Sequence, residues 1–176
     1  MKLVSDRLYL RDIRQSDLDA VHEYAGSFEV VRHQEWGPNT VEQTEEFIAG
    51  CLEAGAMPDS RTLNLGVALD NDKLIGSYRA TLSEDGADAE IGYSLHPEFW
   101  GKGYGTEAAL RLIEYLKDER RVRRVFATSR PENTASIRIM QKLGMRQVDC
   151  YRKNVLIRGE WRDTLVFSMD LAMDLG

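Results

Sequence analysis

A chain of 176 residues is enough for one domain with a substantial core, and 43% hydrophobic with 30% charged residues are the proportions of a water-soluble globular protein. A formal net charge of −6 argues against a general nucleic-acid binder, and neither a basic leader nor an apolar run of the roughly 18 residues needed for a membrane span is present. Cys51 and Cys150 lie far apart without CxxC or Cys/His clustering, and His22, His33 and His96 are scattered, so no metal site and no disulfide framework is expected. These bounds point to a single domain over residues 1–176 in the cytoplasm, with no nucleic-acid or membrane partner and homo-oligomerisation left open.

In chain order, Leu8, Leu10 and Ile13 interleaved with Arg7, Tyr9 and Arg11 predict a first strand. The cap-like Ser16-Asp17 opens a helix with Leu18, Val21, His22 and Ala25 on one face. Val30 to Asn39 reads as irregular, and Thr40-Val41-Glu42-Gln43 is a capping box before a second helix carrying Phe47, Ile48 and Cys51. A loop from Gly55 to Arg61 leads to a meander of three strands, 63–69, 74–82 and 89–95. A helix over Thr106 to about Lys117, a strand from Val122 to Thr128 and a helix begun by Pro131-Glu132-Asn133 and ended by Gly144 follow. Strands 148–157 and 161–171 flank Arg158-Gly159-Glu160 as a closing hairpin, with Met1 to Asp6 and the last few residues as frayed ends. Hairpins and crossovers together give an α+β class with a mixed sheet.

The densest chemistry lies where the third meander strand meets its helix, at Trp100-Gly101-Lys102-Gly103-Tyr104-Gly105-Thr106. Alternating glycines allow a tight turn and close approach of a ligand, and the helix start beyond them aims free N–H groups and a positive dipole at it. A phosphate suits such a place, since each N–H bond to a charged oxygen contributes roughly 1.5–3 kcal/mol. The spacing fits neither the P-loop of nucleotide hydrolases nor the dinucleotide fingerprint.

The order strand, two helices, meander, glycine-loop helix, strand, helix and hairpin resembles the GNAT superfamily of acyl-CoA-dependent N-acyltransferases. The glycine loop, with Trp100 in place of the usual Gln or Arg, is similar to the ribosomal-protein N-terminal acetyltransferase-like branch. So are Glu132-Asn133-Thr134-Ala135-Ser136-Ile137-Arg138, Lys142-Leu143-Gly144-Met145 and Trp36-Gly37-Pro38. The resemblance covers roughly Leu8 to Leu171. It implies a mixed, mostly antiparallel central sheet with splayed middle strands, and acetyl transfer from acetyl-CoA to a primary amine without a metal.

By resemblance, the N–H groups of Lys102, Gly103, Tyr104, Gly105 and Thr106 take the pyrophosphate, and the backbone near Ser94, Leu95 and His96 pairs with pantetheine. Asn133 bonds the pantetheine arm and Ser136 protonates the departing thiolate, although a plain helix cap and a first-turn serine are the alternatives. Arg138 and Lys142 meet the 3′-phosphate or form a solvated helix face. Glu90 alternates out of phase with Ala89, Ile91 and Tyr93, so it sits on the opposite sheet face with Gly92 and Ser94; it is the candidate base, directly or through water, or else the cross-strand ion-pair partner of an arginine such as Arg79. His33, Glu35 and Trp36 line the acceptor pocket unless Trp36 is core, and His96 is a strand-end residue rather than a catalyst. The acceptor is a protein N-terminal α-amine or a small amine such as an antibiotic, polyamine or amino acid. A non-catalytic acyl-CoA sensor is the reading outside enzymes.

Overall fold

The computed structural model describes residues 1–57 and 59–171. Strand β1 (Lys2–Val4) returns against β2 (Leu8–Asp12) with Leu3 opposite Leu10, so part of the predicted frayed N-terminus is an edge strand; the predicted fraying of the last residues concerns 172–176, outside the described part. Helix α1 (Leu18–Ala25), the single turn α2 (Phe28–Val31) and α3 (Val41–Ala56) follow. Thr40 caps α3 as its capping box requires, with Gln43 N–H donating to Thr40 Oγ1 at 3.3 Å and Thr40 N–H to Gln43 Oε1 at 2.9 Å.

The meander is β3 (Thr62–Leu69), β4 (Leu74–Leu82) and β5 (Asp88–Leu95); then come α4 (Tyr104–Asp118), β6 (Arg124–Ser129), α5 (Thr134–Lys142) and the hairpin β7 (Arg146–Ile157) and β8 (Glu160–Asp170). Helix α4 starts two residues before the predicted Thr106, because Gly103, left-handed at φ +86°, is already the cap. The eight strands form one sheet in the order β1-β2-β3-β4-β5-β6-β8-β7, antiparallel except for the β5–β6 pair. That one parallel pair is reached through α4, the crossover a parallel connection needs.

The α+β class is therefore correct, with helices on both faces. Leu10, Leu65, Val67, Tyr78 and Ile91 pack with Ala108, Leu112 and Leu116 of α4 and Met140 of α5 in the larger core. On the other face Ile13, Val21, Tyr24, Ile48 and Cys51 pack under α1 and α3. A buried ion pair pins the start of α1 to the sheet: Arg11 donates to both carboxylate oxygens of Asp17 at 2.7 and 2.8 Å, and both side chains are under 8% exposed. Both cysteines are free, and among the described residues no group of His, Cys, Asp or Glu is disposed to hold a metal ion. No helix among them is long and apolar enough to cross a membrane.

Candidate active site

A cavity of about 1470 Å³ runs from the glycine loop, past the end of β5, to the segment between α2 and α3. At its loop end Gly101 and Gly103 hold φ of +72° and +86°, values a side chain resists. Gly105 serves packing instead: a Cβ there would lie 3.0 Å from Ile139 Cδ1 and 3.2 Å from Leu95 Cδ1. The first helical bond is Glu107 N–H to the Gly103 carbonyl at 3.0 Å, so among the described residues the N–H groups of Gly103, Tyr104, Gly105 and Thr106 have no acceptor in the chain. Lys102 is exposed with its ammonium 5.6 Å from the Phe99 ring centroid.

Below the loop, β5 and β6 pair only from Asp88/Arg124 to Glu90/Phe126 and then part. His96 N–H donates to Ile75 O at 2.9 Å, and strand alternation carries the Ser94 backbone to β4 as well, opposite Ser77. The groups turned into the gap are therefore the N–H and C=O of Tyr93 and the N–H of Leu95, not those of Ser94 and His96. The Leu95 carbonyl is taken by Trp100 Nε1 at 2.8 Å, which gives the tryptophan at the head of the glycine loop a clear task. The His96 side chain accepts from Glu98 N–H at 3.3 Å and caps the short 3₁₀ turn Pro97–Phe99, the strand-end role expected of it.

At the mouth of the gap, Asn133 Oδ1 accepts from Ser136 N–H at 3.2 Å. Asn133 is thus a true helix cap, with its amide N–H₂ still available to a ligand. Ser136 Oγ accepts from the Tyr93 hydroxyl at 3.0 Å, so its own proton is free to be given away. Burial pushes the Tyr93 phenol up to about 12 while the Ser136 bond works the other way, and its ring is stacked on Tyr78 with centroids 4.9 Å apart. The Tyr78 hydroxyl is spent on the Gly105 carbonyl at 2.6 Å. Tyr104 lies under the Arg7 guanidinium and against Phe99, and is not part of the cavity wall. Arg138 and Lys142 are exposed on the cavity side of α5, one turn apart.

Glu90 and Gly92 are exposed on the face opposite the buried Ala89 and Ile91, as the alternation required, and Glu90 lines the cavity. It makes no ion pair with Arg79, which stands opposite Gly92 in register. His33, Glu35 and Trp36 line the far end; Trp36 is 41% exposed and is not core. Burial and neighbouring Arg32 hold the His33 imidazole below its ordinary value, and its buried Nε2 has no hydrogen-bond partner.

Residues 7–146 match the family model described as the acetyltransferase (GNAT) domain. The chain belongs to the GNAT family. It is 30% identical over 169 residues to the uncharacterized N-acetyltransferase YnaD of Bacillus subtilis, covering 96% of each chain. The crystal structure of a GNAT-family acetyltransferase from Bacillus anthracis superposes with a TM-score of 0.86 at 29% identity, covering 97% of this chain and 98% of that one. The ribosomal L7/L12 alpha-N-protein acetyltransferase RimL in complex with coenzyme A gives a TM-score of 0.89 at 16% identity, over 99% and 100% of the two chains, a likeness of fold.

Two arginines that single-sequence reading passed over hold this GNAT site in shape. Arg7 donates to Glu107 Oε2 at 2.7 Å and to the Lys102 carbonyl at 3.0 Å, locking the glycine loop to the β1–β2 turn. Glu107 is raised by burial but brought below its ordinary value by Arg7 and Ser5, so this carboxylate is engaged away from the loop N–H groups. At the other end Arg158, in the β7–β8 turn, donates to the carbonyls of Gln34 at 3.1 Å and Gly37 at 2.8 Å, fastening the segment that carries Glu35 and Trp36. Neither partner set is local in sequence, so no motif signals it.

Proposed function

We propose that this GNAT protein transfers the acetyl group of acetyl-CoA to a primary amine by direct attack, with a protein N-terminal α-amine as the acceptor class. The observation that carries this reading is the convergence on one cavity of three unspent sets: the loop N–H groups of Gly103, Gly105 and Thr106, the Tyr93 and Leu95 backbone groups in the strand gap, and the Ser136 hydroxyl. The first suits a pyrophosphate, the second the amides of a pantetheine arm, and the third a thioester sulfur. Arg138 and Lys142 add positive charge for a further phosphate.

In the reaction the neutral amine nitrogen attacks the thioester carbonyl carbon, the carbon–sulfur bond breaks, and the electron pair leaves on sulfur. Ser136 Oγ–H gives its proton to that thiolate while Tyr93 O–H, 3.0 Å behind it, passes its own to the serine; the tyrosine regains a proton from water in the open cavity, balanced by the amine's proton that leaves to solvent. Glu90, unpaired on the cavity wall, takes the proton lost by the amine, directly or through water. An α-amine asks little of this base, since roughly one in ten is uncharged near neutral pH against about one lysine amine in two thousand.

The test is CoA release measured against α-amine peptides, lysine peptides, polyamines and aminoglycosides. Turnover with α-amine peptides ahead of the rest supports the reading. Acetyl-CoA binding without CoA release from any of them points to a sensor.

A further inference from the structure

Arg130 stands at the end of β6, beside Ser136's helix, with only 8% of its surface exposed, and it lines the cavity. Its Nη1 donates to Thr164 Oγ1 and, at 3.4 Å, to the Asp163 carbonyl, both in β8. Its own carbonyl accepts from Asn133 N–H at 3.0 Å and from Ser129 Oγ at 3.3 Å, so its backbone is fixed from both sides. Among the described residues no carboxylate forms an ion pair with it. Glu132, the adjacent candidate, is engaged by Arg162 at 3.1 Å, and Glu35 is exposed and does not reach it. Buried guanidinium groups are normally paired, because desolvating the charge is costly. Burial draws the Arg130 proton affinity down, and the fields of Glu35 and Glu132 only partly restore it. His33 Nε2, buried and without a hydrogen-bond partner, belongs to the same cavity wall.

We infer that Arg130 is an acceptor-specificity residue that binds a carboxylate carried by the amine substrate. The inference rests on the acetyl-transfer reading above and narrows its acceptor class, from α-amines in general to α-amines whose own skeleton bears an anion. The guanidinium fork left open beside Nη1 offers paired N–H donors, the geometry a carboxylate accepts. The acceptor is then held at both ends, its ammonium or amine near Glu90 and its carboxylate at Arg130.

The experiment compares kcat/KM for matched acceptors that differ only in carboxylate against carboxamide. Free amino acids are set against their amides, and peptides beginning Ala-Asp or Ala-Glu against those beginning Ala-Asn or Ala-Gln. Intrinsic chemistry favours the amino-acid amides, whose α-amine loses its proton more readily, so a preference for the acid must come from the protein. We expect the parent to favour the carboxylate member of at least one set by at least tenfold, on the order of 100-fold for two charge-assisted bonds. In Arg130→Met the ratio should collapse to within about threefold through a rise in acceptor KM, while the acetyl-CoA KM stays put; Arg130→Lys should recover part of it. Equal rates, or faster amides, in the parent overturn the inference whether or not the variants fold. A preference that survives Arg130→Met, or a rise in the acetyl-CoA KM instead, overturns it as well. If no pair releases CoA while a polyamine, aminoglycoside or lysine peptide does, the inference alone has failed; if acetyl-CoA raises the melting temperature but no amine of any class releases CoA, the acetyl-transfer reading has failed and takes the inference with it.

Discussion

Replacing Ser136 with alanine removes one oxygen and has two separable consequences. The Tyr93 hydroxyl sits 3.0 Å from that oxygen, and its ring is held by stacking on Tyr78 at 4.9 Å, so it cannot swing to another partner. A stranded, partly buried donor costs about 1–3 kcal/mol; with cavity water able to approach, the lower end applies, a loss of roughly 2–4 °C in Tm for a chain of this size. Adding Tyr93→Phe removes the stranded donor, so the double variant should be more stable than Ser136→Ala alone, with a coupling of about 1 kcal/mol. In catalysis the loss of a positioned proton donor should lower kcat by a factor on the order of 10²–10⁴. Tyr93→Phe alone, which leaves the serine proton in place, should cost about tenfold or less. The assay is steady-state CoA release at saturating acetyl-CoA, run beside thermal unfolding of the four proteins. A Ser136→Ala enzyme with parental kcat and a raised acetyl-CoA KM would refute the proton-donor role and leave Ser136 as a binding residue.

Gly103→Val should abolish the rise in Tm that acetyl-CoA gives the parent, because a β-branched residue resists φ +86° and its Cβ would stand 3.2 Å from Arg7 Nη2; calorimetry with and without ligand checks it. Asp17→Asn should destabilise the fold by about 3 kcal/mol, the low end for breaking a buried pair, because Arg11 keeps Asp72 at 3.0 Å. Burial pushes the Asp17 carboxyl up, but Arg11 and the Arg14 N–H outweigh it and hold it below its ordinary value. Its stabilisation is therefore complete above the unfolded pKa near 4 and is lost as pH falls through the folded value, so the acid-side fall of Tm should flatten in Asp17→Asn. Glu90→Gln should depress kcat/KM far more for a lysine-like acceptor than for an α-amine, with a rate that climbs with pH; parallel profiles for parent and variant between about pH 6 and 9.5 would remove Glu90 from the mechanism.

What the sequence made legible is local. Period-two alternation placed Glu90 and Gly92 opposite Ala89 and Ile91, and the capping box located the start of α3, because each depends on neighbours within a few positions. The glycine loop was readable for the same reason, although the missing side chain of its third glycine makes room for Ile139 and Leu95, which local sequence does not show. Edge strand β1 was missed because three residues carry too little pattern. Of the expected backbone groups Leu95 faces the strand gap while Ser94 and His96 turn to β4, since which edge a strand turns to its neighbour follows from sheet register, not from side-chain type. Arg7, Arg130 and Arg158 carry no local signal because the partners of their side chains stand 33 to 126 positions away. An arginine in a single sequence does not announce what it will meet.

The most direct test supplies acetyl-CoA labelled in its acetyl carbons together with the acceptor that gives the highest CoA release, and follows product and thiol by mass spectrometry and thiol titration. One labelled acetyl group on the acceptor nitrogen for each free CoA thiol, at a rate lost in Ser136→Ala, is the expected result. Label that stays on CoA, on the protein or on free acetate, while acetyl-CoA still stabilises the fold, would contradict acetyl transfer to an amine.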